Sequence, residues 1–148
     1  MTLSLRPADA HDFAFCESLS RRNMATYLAV RGIAWDPERF RSSWAQFENL
    51  VILAGSDAVG LLRLLSEDDA LGLRDLQLVP ERQCQGIGTW ALRQAQGFAI
   101  GRGLRCVQLR VYAENPARAL YARLGFAVEA VVDGTVHMAW PVPPRGAE

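Results

Sequence analysis

The sequence predicts an α/β (α+β) domain with one mixed sheet of six to seven strands and about four helices. Three observations carry this prediction. Residues 74–112 have the pattern of a strand, a helix and a second strand, which is typical of two parallel strands joined by a crossover helix. Short apolar strands separated by turn residues precede this segment, and another pair follows it. The length of 148 residues favours a single domain that covers residues 1–148.

Composition excludes several classes of function. The 16 basic and 16 acidic residues give a formal net charge of zero, so we expect no general attraction to nucleic acid or to an anionic membrane. No apolar run reaches the length of a membrane span, and the N-terminus lacks the pattern of a secretory signal. Every basic residue is arginine, which excludes a Walker A phosphate loop and a lysine Schiff-base enzyme, because both need a lysine.

The three cysteines are Cys16, Cys84 and Cys106. They form neither a C-x-x-C pair nor a spacing typical of metal ligands, and their number is odd. This pattern favours reduced thiols in the cytoplasm and predicts no metal site. Cys84 falls in a predicted loop, where we expect a passive role.

The N-terminal half begins with a predicted strand at residues 3–6. Asp9 or Asp12 is suited to cap a helix that runs to about Arg21. An Asp-Pro pair then predicts a second helix over residues 37–46, because proline fits the first helical position.

Residues 23–48 are rich in aromatic side chains: Tyr27, Trp35, Phe40, Trp44 and Phe47. Most of them are expected to belong to the hydrophobic core. Tyr27 and Trp35 are the best candidates to line a substrate pocket.

Two apolar strands, residues 50–54 and 58–65, flank Gly55-Ser56-Asp57, which is a hairpin signal. The acidic turn Glu67-Asp68-Asp69 leads to a further strand at residues 74–79. A proline ends that strand because it has no N–H to donate. Three antiparallel strands are therefore expected before the central helix.

The central helix opens on a loop that contains Gly86 and Gly88. A helix start leaves backbone N–H groups without partners and favours negative charge, and glycine lets an anionic group approach them closely. Residues 83–88 therefore resemble an anion cradle, most simply for a pyrophosphate. A tight turn without a ligand explains a lone G-x-G equally well. Gly101 and Gly103 supply the helix stop.

The C-terminal part continues with an alternating strand at residues 106–112. Asn115-Pro116 predicts a short helix, with Asn as N-cap and Pro at the first helical position. Strands at 126–132 and 135–140 flank Asp133-Gly134, a strong hairpin turn. An exposed edge in this hairpin would favour a homodimer.

Two motifs resemble those of the GCN5-related N-acetyltransferase (GNAT) family. Gln83-x-x-Gly86-x-Gly88 at a helix start is similar to the family's Q/R-x-x-G-x-G/A motif. The segment from Asn115 to Phe126 resembles its second signature, N-x-x-A-x-x-L-Y-x-x-x-G-F, and the spacing between the two also fits. The resemblance covers residues 74–132 well. The N-terminal half matches only in the order of its elements.

The resemblance implies a GNAT fold, in which a V-shaped cleft splays the sheet between the strand ending at Val79 and the strand ending at Tyr112. The pantetheine arm of acetyl-CoA would lie in that cleft. Acetyl-CoA is then the co-substrate, with no metal, and the acceptor is a small amine or a peptide amine. The residues implied in coenzyme A binding are Leu78, Val79, Gln83, Cys84, Gln85, Gly86, Ile87, Gly88, Thr89, Asn115 and Tyr121.

The chemistry of acyl transfer gives roles to some of these residues. Attack of an amine on a thioester forms an oxyanion, which a backbone N–H near Leu78 would stabilise. Tyr121 would face the sulfur and protonate the departing thiolate. Asp75 is a candidate base, as are Glu67, Asp68 and Asp69 in the acidic turn. Gln77, with Tyr27, Trp35 and Asp75, would contact the acceptor.

Simpler roles are open for the same side chains. Asn115 is equally suited to cap its helix, Tyr121 to pack as a half-buried aromatic, and Asp75 to form a salt bridge. Two other functions also remain. Gly86-x-Gly88-x-x-Ala91 formally matches a dinucleotide fingerprint, but Pro80–Gln85 separate it from the strand. A non-catalytic acyl-CoA sensor with the same fold is the second alternative.

Overall fold

The computed structural model describes residues 2–144, which form seven strands, four α-helices and two short 3-10 turns. In chain order the strands and α-helices are β1 Leu3–Pro7, α1 Phe13–Val30, α2 Pro37–Gln46, β2 Glu48–Ala54, β3 Asp57–Glu67, β4 Ala70–Leu78, α3 Ile87–Gly101, β5 Cys106–Tyr112, α4 Ala117–Arg123, β6 Ala127–Val132 and β7 Thr135–Pro141. The predicted fold class is confirmed. The strands follow the order β1-β2-β3-β4-β5-β7-β6 in one mixed sheet.

The sheet changes character at β4. β1 with β2, and β2 with β3, pair antiparallel, whereas β4 pairs with β5 in parallel. That parallel ladder joins Ala70–Leu73 to Cys106–Leu109 and ends there. Both strands continue beyond this ladder, to Leu78 and to Tyr112.

The chain forms two compact units. The first holds the described residues up to Leu65 together with Arg74–Gly88, and its core includes the buried residues Cys16, Leu19, Phe40 and Leu61. Burial raises the pKa of the Cys16 thiol to about 12, so this cysteine is inert as a nucleophile. Of the aromatic residues expected in the core, Phe40 belongs to this cluster and Trp44 packs against it; Phe13 and the pocket candidate Trp35 pack against it as well.

The second unit holds Ser66–Leu73 and the described residues from Thr89 onward. β5 alternates as predicted, with Val107, Leu109 and Val111 buried and Gln108 exposed. The β6–β7 turn has the expected positive φ angles at both central residues, 50° at Asp133 and 77° at Gly134. β6 is exposed along its whole length.

Three boundaries differ from the prediction. α1 runs to Val30, whereas the prediction ended it at about Arg21. The prediction was too short because the polar Ser20 and Asn23 lie on the inner face and interrupt the apolar pattern of the helix. β4 begins at Ala70, earlier than expected. α4 begins at Ala117, so Asn115 lies one residue before the cap position, although its Oδ1 still accepts the Ala117 N–H at 3.0 Å.

Candidate active site

The end of β4 is the first part of the site. The N–H of Val79 donates to the carbonyl oxygen of Val59 in β3 at 2.9 Å. Gly60 allows the Gln77 carbonyl to approach β3, since a Cβ there would lie 2.6 Å from that oxygen. Successive residues of a strand direct their polar backbone atoms to opposite edges. The N–H and C=O of Leu78 therefore face the edge of β4 away from β3, which is where an oxyanion donor is needed.

Two side-chain amides hold the carbonyl of Leu78. The Nδ2 of Asn23 in α1 donates to it at 2.9 Å, and the Nε2 of Gln83 donates at 3.2 Å. One backbone oxygen therefore ties the last residue of β4 both to α1 and to the loop before α3. This fixes the conformation of the strand end before any ligand binds.

Asp75 lies at the centre of a hydrogen-bonded group. Its two oxygens accept from Ser20 Oγ at 2.6 Å and from Gln77 Nε2 at 2.7 Å, so Asp75 and Gln77 share a face as their spacing predicts. The Oε1 of Gln77 in turn accepts from Asn23 Nδ2 at 3.1 Å. Arg63 Nη1 lies 3.8 Å from Asp75 Oδ2.

Arg63 is a buried cation, with 4% of its surface exposed. Burial lowers the pKa of its guanidinium, and the charge of Asp75 opposes that shift. Arg63 donates to Asn49 Oδ1 at 2.9 Å and to Ser43 Oγ, and its guanidinium lies 4.3 Å from the ring centre of Phe40. Asp75 is the counter-ion of this cation, which is the salt-bridge alternative weighed for it above.

The loop before α3 is open to solvent. Gln83, Cys84, Gln85 and Gly86 are all exposed. Cys84 and Gly86 adopt left-handed backbone conformations, with φ of 61° and 83°, and a Cβ built at Gly86 would have no neighbour within 4 Å. Ile87 is fully buried and begins α3. An exposed loop that turns directly into a helix start fits the pyrophosphate of coenzyme A.

Other predicted residues belong to the second unit. Thr89 is half-buried in the first turn of α3. Asn115 precedes α4, and its backbone N–H donates to the Tyr112 carbonyl at 2.9 Å. Tyr121 is 8% exposed, and its ring centre lies 6.0 Å from that of Phe126. Its backbone oxygen accepts the Phe126 N–H at 3.1 Å, which anchors the end of α4.

The two aromatic candidates for an acceptor pocket differ in environment. Tyr27 is half-buried on α1, one helical turn after Asn23. Trp35 packs against the core beside Phe40, at 5.6 Å between ring centres. The Nε1 of Trp35 is buried and has no hydrogen-bond partner among residues 2–144.

The acidic turn lies at the opposite end of β4 from Leu78. Asp69 pairs there with Arg105, at 3.0 Å between Oδ2 and Nε. Nine strand residues span roughly 30 Å.

The contacts that Asn23 and Arg63 make were not predicted from the sequence. Asn23 lay beyond the predicted end of the first helix, and its contacts with β4 join residues 54 and 55 positions apart. The bond from Ser20 to Asp75 likewise joins residues 55 positions apart. The one available signal was the polar character of positions 20 and 23 on an otherwise apolar helix face.

The residues that the structure describes contain no cluster of three or more His, Cys, Asp or Glu suited to hold a metal ion. None of the helices in the described part of the chain is long and apolar enough to cross a membrane.

Solved structures with this fold include several acetyltransferases. The ribosomal-protein-S18-alanine N-acetyltransferase from Escherichia coli has a TM-score of 0.80 and 21% identity, covering 99% of this chain and 98% of that one. The PaiA N-acetyltransferase from Thermoplasma acidophilum, in complex with coenzyme A, has a TM-score of 0.77 and 20% identity, covering 95% and 99%. The spermidine/spermine N-acetyltransferase SpeG from Vibrio cholerae, in mutant forms, has a TM-score of 0.73 and 19% identity, covering 95% and 94%.

At these identities the structural likeness establishes the fold alone. No curated protein sequence matches the chain significantly. The family model described as the acetyltransferase (GNAT) family matches residues 15–126, about three quarters of the chain. The chain therefore belongs to the GNAT acetyltransferase family.

Proposed function

We propose that this protein is an N-acetyltransferase that moves the acetyl group of acetyl-CoA to a primary amine by direct attack in a ternary complex. The observation that carries this proposal is the backbone orientation at the end of β4. There the polar backbone atoms of Leu78 face away from β3, next to an exposed loop that opens a helix. Membership of an acetyltransferase family and the coenzyme A complex of one structural neighbour support acetyl-CoA as the donor.

Binding of acetyl-CoA is assigned to the residues that the two motifs imply. The backbone N–H groups of residues 83–89 would hold the pyrophosphate, and the backbone of Leu78 and Val79 would contact the pantetheine. The N–H and C=O of Val79 already bond to Val59 and Arg82, and the C=O of Leu78 accepts from Asn23 and Gln83, so the N–H of Leu78 is expected to supply the main contact. Asn115 would bond the arm further along, since its amide donates to none of the other described residues.

In the reaction, the amine nitrogen attacks the thioester carbon and forms a tetrahedral oxyanion. The N–H of Leu78 would stabilise that oxyanion. Collapse breaks the carbon–sulfur bond, and Tyr121 would give its phenol proton to the departing thiolate. The amine must lose one proton, which Asp75 would accept through a water. No acyl group would be held covalently on the enzyme.

The exposed strand β6 supports a homodimer, and the three free cysteines are compatible with a cytoplasmic protein. Both are part of the proposal. The acceptor is a primary amine on a small molecule or on a peptide.

An acceptor panel tests the proposed function. The panel contains benzylamine, glycine, kanamycin, spermidine and a hexapeptide with a free N-terminus, and release of the coenzyme A thiol is followed with time. We expect amine-dependent release with at least one member. Binding of acetyl-CoA by calorimetry without release for any amine would favour an acyl-CoA sensor of the same fold. Absence of binding would overturn both functions.

A further inference from the structure

Hydrogen-bond directions around Asp75 can be deduced from chemistry alone. The carboxylate beside the buried Arg63 can only accept hydrogen bonds. Gln77 must therefore present its Nε2 to Asp75, at 2.7 Å, and turn its Oε1 toward α1. The chemistry of the carboxylate therefore assigns the orientation of the Gln77 amide.

The same logic fixes the amide of Asn23. Its Nδ2 faces two acceptors, Gln77 Oε1 at 3.1 Å and the carbonyl oxygen of Leu78 at 2.9 Å. Both hydrogens of the Asn23 amide are then in use. Its Oδ1 accepts no hydrogen bond from any residue between positions 2 and 144, although the side chain is half-buried.

The position of this oxygen follows from the helix. Ser20, Asn23 and Tyr27 lie at positions i, i+3 and i+7 of α1 and so share the face turned to β4. Ser20 contacts Asp75 and Asn23 contacts Leu78, the residue to which the oxyanion is assigned. An unused acceptor beside that residue is suited to an N–H donor.

We propose that Asn23 Oδ1 binds the acceptor amine and that Asp75 and Gln77 orient Asn23 for this task. This inference rests on the proposed function and names a residue of its acceptor site. One amine N–H donates to Oδ1, and the nitrogen lone pair is thereby turned toward the thioester carbon. The acceptor contact is a neutral amide oxygen, and the Asp75 carboxylate, which Gln77 links to Asn23, is already paired with Arg63. The site therefore fits a single amino group and not a polycation.

Two variants test the inference. Asn23→Ala removes the acceptor oxygen. Gln77→Met removes both the Oε1 that accepts from Asn23 and the Nε2 that donates to Asp75, and so weakens the orientation of Asn23. With the panel amine that the wild-type protein acetylates fastest, each variant should raise KM for the amine about tenfold. The acetyl-CoA Kd, measured by calorimetry, should change less than KM does, because Asn23 reaches the donor site only through the Leu78 carbonyl, which Gln83 also holds.

The double variant should raise KM no more than the stronger single variant, because both changes act through the same oxygen. Gln96→Ala is the matched control: its buried amide also donates to a backbone carbonyl, that of Leu124 at 3.0 Å, and it should lower stability without changing KM. If Asn23→Ala does not fold, Gln77→Met alone decides.

The outcomes separate this inference from the proposed function. If the wild-type protein acetylates an amine and both variants have the wild-type KM for that amine, the inference is overturned and the proposed function stands. A preference for spermidine over every single-amine member would also overturn it. A wild-type protein that acetylates no amine would remove the proposed function, and the inference with it.

Discussion

At the scale of single residues, the backbone conformation of Gly86 is the most direct link between sequence and ligand. Its φ of 83° is a conformation that other residues rarely adopt, and the space around it is open. Backbone amides can be reached there by an anionic group without steric hindrance. The positive φ at this position and the open space beside its backbone both explain why a glycine is suited to it.

Gly86→Ala is expected to raise the acetyl-CoA Kd by about tenfold, since an alanine in this conformation costs roughly 1–2 kcal/mol and shifts the amides. Gly55→Ala is the matched control. Gly55 has a φ of 61°, also with nothing within 4 Å, but it lies in the turn between β2 and β3. It should lose similar stability and keep the wild-type Kd by calorimetry. Equal Kd values for both variants would remove the loop from the binding site.

Tyr121→Phe should keep the ring packing against Phe126 and lose the proposed acid. We expect kcat to fall by about a hundredfold or more, with the acetyl-CoA Kd unchanged. A general acid works only while protonated, so wild-type activity should fall as pH rises through the pKa of the acid. The variant should lack that decrease in its pH–rate profile.

Tyr112→Phe serves as the control for Tyr121, since it removes a phenol to which no role is assigned. It should keep both kcat and the pH profile. A Tyr121→Phe variant with wild-type kcat at every pH would show that another group protonates the thiolate.

At the scale of elements, α2 and the β6–β7 hairpin were predictable because their signals are local. Asp36 accepts from the N–H groups of Glu38 and Arg39, and α2 spans the predicted residues. Asp133 and Gly134 have the backbone that a two-residue hairpin turn requires. The end of α1 was not predictable in this way, because Asn23 replaces an apolar contact with bonds to a strand far along the chain.

The candidate site shows the same difference between parts with local sequence signals and parts that depend on long-range contacts. The loop at residues 83–88 and the helix after Asn115 are carried by motifs with fixed spacing, so the sequence located both. The group formed by Ser20, Asn23 and Arg63 depends on tertiary contacts with β4, for which a single sequence holds no spacing rule. The contacts of these three residues were therefore recognised only in the structure.

The ion pair between Arg6 and Asp12 at the start of α1 is expected to make the stability of the fold depend on pH in the acid range. Arg6 donates to both oxygens of Asp12, at 2.7 and 2.9 Å, and this hydrogen bonding lowers the pKa of Asp12 to about 2. Since the folded pKa lies below the ordinary value of about 4, the stabilisation is present above pH 4 and is lost as pH falls toward 2.

Asp12→Asn should thus lower the free energy of unfolding at pH 7, and its difference from wild type should shrink between about pH 4 and pH 2. Urea denaturation at a series of pH values measures this. Glu38→Gln breaks the exposed pair with Arg41 and should change stability little at any pH. A pH-independent effect of Asp12→Asn would contradict the assigned cause.

At the scale of the whole molecule, the edge strand β6 is the surface to which the proposed assembly is assigned. Val128, Val131 and Val132 are 47%, 60% and 49% exposed, and the strand has β7 on one side only. Apolar edge strands pair readily with a second copy. The proposed homodimer is therefore expected to use this edge.

Val131→Arg should convert the dimer to a monomer in sedimentation velocity experiments, because it brings a charge to the paired edge. Val30→Arg is the control: Val30 is 74% exposed on α1, and its replacement should leave the dimer intact. A wild-type protein that sediments as a monomer at all concentrations would exclude this mode of assembly.

The central claim is that the end of β4 and the loop before α3 present acetyl-CoA to an amine for direct transfer. Mass spectrometry after incubation with isotope-labelled acetyl-CoA and the amine panel tests it most directly. The absence of lysine removes side-chain amines of the protein as a background. We predict labelled acetyl on an acceptor amine and none on the protein. Label held covalently by the chain, or an unlabelled panel, would contradict the account.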